Sequence, residues 1–342
     1  MPARDKVSVV VPVYNEQDNV RILHQALTTQ LQRLDVDYEL IFVDDGSRDE
    51  SLRVLRALHA ADDAHVKVIS FSRNFGHQSA LTAGLEYSMG DAVIAIDADM
   101  QHPPELIPEM VEKWRAGYQV VFTVRHDDET VGWFKRRSSQ AFYALINMIT
   151  DTPIVPGAAD FRLVDRQVVD TLNAMQERAR FLRGLVSWVG FRQIGIPYQV
   201  GRRHAGQSKY SFGKMLRLAS NGITNFSALP LRLATYFGFF AAALGVPYAL
   251  WVLYARLFIS TAVPGWASLT TLVLFLGGVQ LICLGIIGEY LGRLYDEVKR
   301  RPLYIPRELI GFDERLPLAA HHAVPRVGPR FPHAPAANRE AA

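Results

Sequence analysis

The chain has 342 residues, a single cysteine and a formal net charge of +3. One cysteine excludes an internal disulfide and a cysteine metal cluster, and so small a charge gives no basic field for nucleic acid. Hydrophobic residues make up 49% of the chain but are unevenly spread: residues 1–230 have the mixture of a soluble α/β domain, 233–288 are almost free of charge, and the last ~30 are polar and proline-rich.

Met1 to Lys6 is charged and leads straight into a strand, so no cleavable signal peptide is expected and the amino-terminal domain is expected in the cytoplasm. Val7 to Val13 is β-rich without alternation, as in a strand buried on both faces. It ends at Pro12, Tyr14, Asn15 and Glu16, and Asp18 or Asn19 can cap a helix from Val20 to Leu34. A second strand, Tyr38 to Val43, ends in Asp44-Asp45-Gly46-Ser47 and is followed by a helix from Asp49 to Ala60. The third, Val66 to Phe71, leads into Ser72-Arg73-Asn74-Phe75-Gly76-His77 and a helix around Ala80 to Met89; the fourth, Ala92 to Ile96, stops at Asp97 and Asp99. Strand–helix alternation at this spacing predicts a parallel sheet with helices on both faces. The polar residues after each strand then lie at one end and converge on one crevice. Neither Gly-x-Gly-x-x-Gly nor Gly-Lys-Ser/Thr follows the first strand, which excludes the common dinucleotide and P-loop sites.

Asp97 and Asp99 stand two residues apart, and side chains at i and i+2 of a strand share a face. Two carboxylates so placed are hard ligands suited to Mg²⁺ or Mn²⁺ carrying phosphates; with Pro103-Pro104 after them they equally suit a solvated acidic turn. Asp44 is placed to accept hydrogen bonds from a nucleobase imide or a ribose, while Asp-Asp-Gly-Ser also serves as a plain turn and helix start.

A helix is expected from Pro104 to Ala116 and a strand from Val120 to Val124, ending at Arg125. Gly132 to Ile149 joins a basic start to bulky apolar residues at helical spacing; it reads as a packed helix or as one lying at a membrane surface. After a loop, Pro153 to Ala159, Asp160-Phe161-Arg162-Leu163 opens a new element, with a helix at Phe181 to Val189 and a strand at Gln193 to Gln199. Arg202 to Tyr210 is basic and glycine-containing, a solvated loop or a phosphate wrap. Phe212 to Leu231 is amphipathic and leads to the membrane.

Leu233 to Ala255 is about 23 residues without charge, enough for one span of hydrocarbon. Two spans, about 233–256 and 267–289, are expected around the turn Pro264-Gly265-Trp266. Gly238/Gly245 and Gly278/Gly285/Gly292 repeat at seven-residue spacing, which permits close helix pairing, between copies of the chain included. Arg232 before the first span, and Arg293, Lys299, Arg300 and Arg301 after the second, place both ends on the cytoplasmic side. Residues 1–230 thus form a cytoplasmic domain with membrane-surface helices near 131–150 and 211–231, 232–291 a transmembrane hairpin, and 292–342 a cytoplasmic tail, disordered from about 317.

Val-Pro-Val-Tyr-Asn-Glu (11–16), Val-Asp-Asp-Gly-Ser (43–47), Ser-Arg-Asn-Phe-Gly (72–76), Asp-Ala-Asp-Met-Gln-His-Pro-Pro (97–104), Asp-Phe-Arg-Leu (160–163) and Ala-Gly-Gln-Ser-Lys-Tyr (205–210), in this order and ahead of a hairpin, carry a resemblance. Over about residues 6–310 the chain resembles the polyprenyl-phosphate glycosyltransferases of glycosyltransferase family 2, akin to dolichol-phosphate mannose synthase and most like the bacterial bactoprenol glucosyltransferases. The resemblance implies a GT-A fold, inverting transfer of a sugar from a UDP-sugar to undecaprenyl phosphate, a Mg²⁺ or Mn²⁺ ion, and a place in the bacterial inner membrane. It implies that Pro12, Tyr14, Glu16, Asp44, Asp97 and Arg73 hold the nucleotide-sugar, that Asp99 and Gln101 ligate the metal, and that the catalytic residues are Asp99 and Asp160, the latter matching the acid proposed as catalytic base, with orienting the site or stabilising oxocarbenium character as its alternative role. Arg125, Arg137, Arg202, Arg203 and Lys209 fall in the region that grips the acceptor phosphate; the serine that dolichol-type enzymes carry four residues after Arg137 is Ala141 here. Glucose is the favoured sugar, with mannose and a modified arabinose open. A processive polysaccharide synthase shares the GT-A core, but its Gln-x-x-Arg-Trp motif is missing. A membrane-anchored sugar-nucleotide-binding scaffold predicts degraded metal and phosphate residues, and these are intact.

Overall fold

β1 (Lys6–Val13) runs near the middle of a sheet ordered β7-β5-β6-β4-β1-β2-β3-β8, with β2 Asp37–Asp44, β3 Val66–Phe71, β4 Ala92–Ala95, β5 Val120–His126, β6 Ala158–Asp165, β7 Gln193–Gln199 and β8 Pro306–Ile310. The structure, a computed structural model, describes residues 4–126, 158–175, 177–178, 180–199, 229–254, 258 and 265–312. Among these the pairings of β1 with β2 and β4, of β2 with β3 and of β5 with β7 are parallel, while β6 and β8 run antiparallel to their neighbours. The sheet is therefore mostly parallel, as expected, with two reversals that strand–helix alternation did not announce.

Helices α1 (Val20–Leu31), α2 (Ser51–Ala61), α3 (His77–Tyr87), α4 (Ile107–Arg115), α5 (Arg166–Ala174) and α6 (Leu182–Trp188) cover the sheet. Their apolar stripes divide it into two cores. Val9 and Val11 join Leu23 and Leu27 of α1, Leu55 of α2 and Met110 of α4 on one face. Val10 joins Ala80 and Ala83 of α3, Val168 and Leu172 of α5, and Leu185 of α6 on the other. The alternation of Val9, Val10 and Val11 between faces explains why β1 reads as an unbroken apolar run. A Cβ at Gly84 would lie 2.0 Å from Val10 Cγ1, so glycine is what lets α3 settle onto the sheet.

Two long helices follow, α7 (Leu229–Tyr254) and α8 (Trp266–Lys299), packed against each other where Cys283 Sγ approaches the Ala234 carbonyl at 3.8 Å. Among the described residues one segment, Phe275–Lys299, is long and apolar enough to cross a membrane. α8 runs on past residue 289, where charge was expected to end the span; Glu289 and Arg293, 3.1 Å apart at i and i+4, instead carry the helix forward. The glycine faces are not used between α7 and α8: nothing described lies within 4 Å of a Cβ built at Gly238, Gly245, Gly278, Gly285 or Gly292. The surface helices expected near 131–150 and 211–231 lie outside the described residues, apart from the start of α7.

Beyond α8 the chain returns to the sheet. β8 pairs with β3, Arg56 forms a two-pronged ion pair with Glu308 at 2.6 and 2.7 Å, and Tyr304 is 1% exposed. Its ring stacks on Phe71 with centroids 4.9 Å apart, and its hydroxyl donates to Glu86. Residues 302–312 thus complete the sheet's edge and core, where a tail was expected from 292. The stretch is too short, and too close to charge, to show strand periodicity.

Candidate active site

The carboxyl ends of β1, β2 and β4 open onto one crevice, and side chains knit their loops together. Asn15, at φ +57°, donates its N–H to Ser47 Oγ (3.0 Å) and accepts from the Arg48 N–H (2.8 Å). The Glu16 N–H donates to Ser51 Oγ (2.9 Å), and Glu16 Oε2 accepts from Asn19 Nδ2 (2.6 Å). Pro12 is buried opposite Val43, while Tyr14 is exposed at the rim. Asp44 is buried, accepting from the Ser47 N–H at 3.0 Å and the Ser70 hydroxyl at 2.9 Å. Those bonds use two of a carboxylate's roughly four acceptor positions.

Asp45 does the work of a clamp. It accepts the Phe75 N–H (2.6 Å) and Gly76 N–H (2.9 Å), fixing the loop that begins α3. Burial nonetheless pushes its pKa above the usual aspartate value, with those hydrogen bonds opposing. Gly76 takes φ +101°, a conformation glycine adopts without strain, and so sets the direction of His77. Arg73 turns elsewhere: its guanidinium lies 4.0 Å over the Phe75 ring and lines a cavity of about 790 Å³ against Glu289 and Arg293 of α8.

The reversal at β6 builds the centre of the site. Ala95 pairs with Arg162 and Ile94 with Leu163, so continuing the register sets Asp97 opposite Asp160. Residues 63 positions apart in the chain become neighbours because one strand runs backwards. Met100 adopts φ +61°, rare for a non-glycine residue, and the turn is closed by the Gln101 N–H donating to Asp99 Oδ1 at 3.2 Å.

Four basic side chains surround these acids. Arg183 of α6 grips Asp160 with two charge-assisted hydrogen bonds of 2.6 and 2.7 Å. The buried Arg162 stands 3.6 Å away and donates to the Ala159 carbonyl at 3.0 Å. His77 Nε2 lies 3.6 Å from Asp97 Oδ1 and 3.7 Å from Asp160 Oδ2, and His102 Nδ1 lies 3.6 Å from Asp97 Oδ2. Burial raises the Asp160 pKa, but His77, Arg183 and Arg162 outweigh it and hold the carboxyl well below the usual range. Burial lowers the His77 pKa, yet Asp160 and Asp97 carry it above the ordinary imidazole value. Asp97 is pushed up and His102 down, both chiefly by burial.

Among the described residues no three His, Cys, Asp or Glu side chains form a preassembled metal cage. The donor set nevertheless fits a divalent ion shared with a diphosphate. Mg²⁺ in particular takes one or two carboxylates and draws remaining ligands from phosphate and water. Asp99 and Gln101 offer oxygens at a turn held open, and His102 Nδ1 is buried without a hydrogen-bond partner. A buried nitrogen with no hydrogen-bond partner, 3.6 Å from the Asp97 carboxylate, adds a further donor atom to that set.

Of the residues singled out from the sequence, Asp97, Asp99, Gln101 and Asp160 come together, with Pro12, Tyr14, Glu16 and Asp44 on the adjoining strand ends. Arg73 faces the α8 cavity. Arg125 closes β5, its backbone opposite Tyr198 of β7; Arg137, Arg202, Arg203 and Lys209 lie outside the described residues. His77, His102, Arg162 and Arg183 received no role from sequence. Arg183 offered a signal, a cation within an apolar helix, since such residues are seldom drawn inward without a partner.

An α/β sheet with acids gathered at its strand ends suits an enzyme that handles a phosphorylated donor, and comparison with known proteins gives the class. Residues 8–172 match the model of glycosyl transferase family 2, and 229–294 match the GtrB C-terminal hairpin. The glycosyltransferase YkcC of Bacillus subtilis is 47% identical over 90% of this chain and 95% of its own. The bactoprenol glucosyl transferase of Shigella phage SfII is 43% identical over 88% of this chain and 97% of its own. The chain belongs to glycosyl transferase family 2 and is a hexosyltransferase associated, through its hairpin, with the membrane. Among solved structures, mannosyl-3-phosphoglycerate synthase from Rubrobacter xylanophilus overlays on 64% of this chain and 71% of its own, at 18% identity and a TM-score of 0.44. At that distance nothing about chemistry transfers.

Proposed function

We propose that this enzyme transfers a sugar, glucose before others, from a UDP-sugar to undecaprenyl phosphate, inverting the anomeric centre and releasing UDP. The observation that carries the reading is the meeting of Asp97 and Asp99 at the end of β4 with Asp160 of β6, acids for the donor on one side and an acid for the attacked face on the other. The kinship with a bactoprenol glucosyl transferase supports the lipid acceptor and the sugar. An oxygen of the lipid phosphate forms the new bond to the anomeric carbon as the bond to the diphosphate breaks.

In this reading Pro12, Tyr14, Glu16 and Asp44 hold base and ribose, and Asp97 faces the nucleotide. Asp99 and Gln101 hold Mg²⁺ or Mn²⁺, which when bound supplies positive charge against the leaving diphosphate. Asp160 is not asked to take a proton. Arg183 keeps it ionised and weakly basic, and a phosphate monoester with a second pKa of about 6 is already largely deprotonated at neutral pH. The Asp160 charge instead stabilises the sugar's developing positive charge and orients the acceptor. Arg125, Arg137, Arg202, Arg203 and Lys209 grip the acceptor phosphate. The helices span the inner membrane of a bacterium at about 233–256 and 267–289, both ends cytoplasmic.

The test gives purified enzyme undecaprenyl phosphate, Mg²⁺ or Mn²⁺ and a panel of UDP-sugars, and identifies the lipid product by mass. One lipid-linked hexose is expected; a polymer, or UDP release without lipid product, overturns the reading. Asp99→Ala should cut the rate about 10²- to 10³-fold, the loss typical of removing one electrostatic stabiliser, with the unfolding temperature unchanged.

A further inference from the structure

His77 stands between the two acids, paired in charge with both. Its contacts of 3.6 and 3.7 Å to Asp97 and Asp160 are ion-pair distances, longer than hydrogen bonds. The backbone brings the residue to this place. Asp45 fixes the Phe75 and Gly76 N–H groups, Gly76 makes the turn at φ +101°, and His77 begins α3. The side chain is 41% exposed, whereas Asp160 is 13% exposed, so the imidazole edge opens into the crevice.

We propose that His77 is a specificity-determining residue that binds a hydroxyl of the transferred sugar. This rests on the donor reading above, in which the hexose sits between the nucleotide-side Asp97 and the attacked side marked by Asp160. His77 Nε2 lies nearly equidistant from those acids. A sugar hydroxyl can accept one hydrogen bond and donate another. An oxygen about 2.8 Å from both Nε2 and a carboxylate oxygen bridges a gap of this width at ordinary hydrogen-bond length. Such a hydroxyl accepts from His77 and donates to Asp97 or Asp160. A nucleotide lacking the sugar gains nothing from the arrangement.

The experiment measures binding of UDP and of UDP-glucose by calorimetry, with Mg²⁺ and without acceptor, to the full-length enzyme in detergent. His77→Ala should weaken UDP-glucose about ten-fold, the effect of losing one hydrogen bond and leaving its partner unpaired, and leave UDP within two-fold. His77→Gln, which keeps an N–H donor, should recover part of the loss, and KM for UDP-glucose in transfer should follow. Equal weakening of UDP and UDP-glucose, or of neither, overturns the proposal. So does a fall in kcat at constant KM, which assigns His77 to holding Asp160. The two readings fail separately: an inactive wild type that still discriminates UDP-glucose from UDP through His77 defeats the acceptor reading alone, and an active wild type indifferent to His77→Ala defeats this inference alone.

Discussion

The sheet and the helical hairpin obey opposite rules of burial. In β1, β2 and β4 the apolar side chains are sealed, with Val9, Val10, Ile41 and Ile94 all at 0% exposure. Along α7 and α8, Tyr236, Phe239, Phe240, Leu281 and Ile282 stand more than 60% exposed. Both regions are rich in apolar side chains, so apolar content alone does not separate them. What differs is the cover: six helices close the sheet from within the chain, whereas α7 and α8 cover each other along one line only. An uncovered apolar surface of this extent calls for a different solvent.

One segment crosses the divide. α8 leaves the hairpin and delivers Tyr304 into the core beside Phe71, so the two regions should not be thermodynamically independent. Tyr304→Ala removes a buried ring and should cost about 3–5 kcal/mol, the range for an aromatic cut from a core. It should lower the thermal unfolding temperature of the catalytic domain in detergent. A loss under about 1 kcal/mol would mean that residues after the hairpin are a passive tail.

A substitution at equal exposure sharpens the contrast. Phe240→Asp, on α7, should oppose insertion by about 3 kcal/mol if lipid covers that face, read as the fraction resisting alkaline extraction from membranes. Ile22, 55% exposed on α1, supplies the control. Water covers it, and an acid early in a helix is tolerated, so Ile22→Asp should stay within about 0.5 kcal/mol. Equal responses would erase the distinction.

The same distinction decides what the sequence could reveal. Strand ends at Asp44, Asp97 and Asp99 were legible because short apolar runs ended in acids, and α7 was legible because its run was too long for a core. Asp160 and Arg183 were not legible as partners. Their contact depends on β6 running backwards beside β4 and on α6 following it, and neither direction nor pairing is written in local periodicity. β8 was hidden for a related reason: five residues make a strand only when β3 offers an open edge. Sequence named the acids at the strand ends and missed the side chains that the reversed strand and α6 bring against them.

The buried acids and bases of the site belong to the sheet and its helices, and acid should act chiefly there. Asp160 has its folded pKa depressed below the ordinary aspartate value of about 3.9. Its contribution to stability is thus fully present above that value and is lost as pH falls through the folded pKa. His77 has the opposite sign: its raised pKa adds stability below the ordinary value of about 6.5, lost as pH rises through the folded value. Both contributions are present between about pH 4 and 6.5. Arg183→Gln keeps a hydrogen-bond donor but removes the charge nearest Asp160. Because Arg183 is 38% exposed, solvent screening limits the loss at pH 7 to about 1–2 kcal/mol. More telling is the shape of the curve: the acid fall-off should begin at higher pH, as Asp160 regains a more ordinary pKa. Denaturant unfolding followed from pH 3 to 8 reads both effects. Superimposable wild-type and Arg183→Gln curves would show that Asp160 is held by Arg162 and His77 alone. α7, whose one charged side chain is Arg232, should add nothing to either effect; the acids of the hairpin, Glu289, Asp296 and Glu297, all stand on α8.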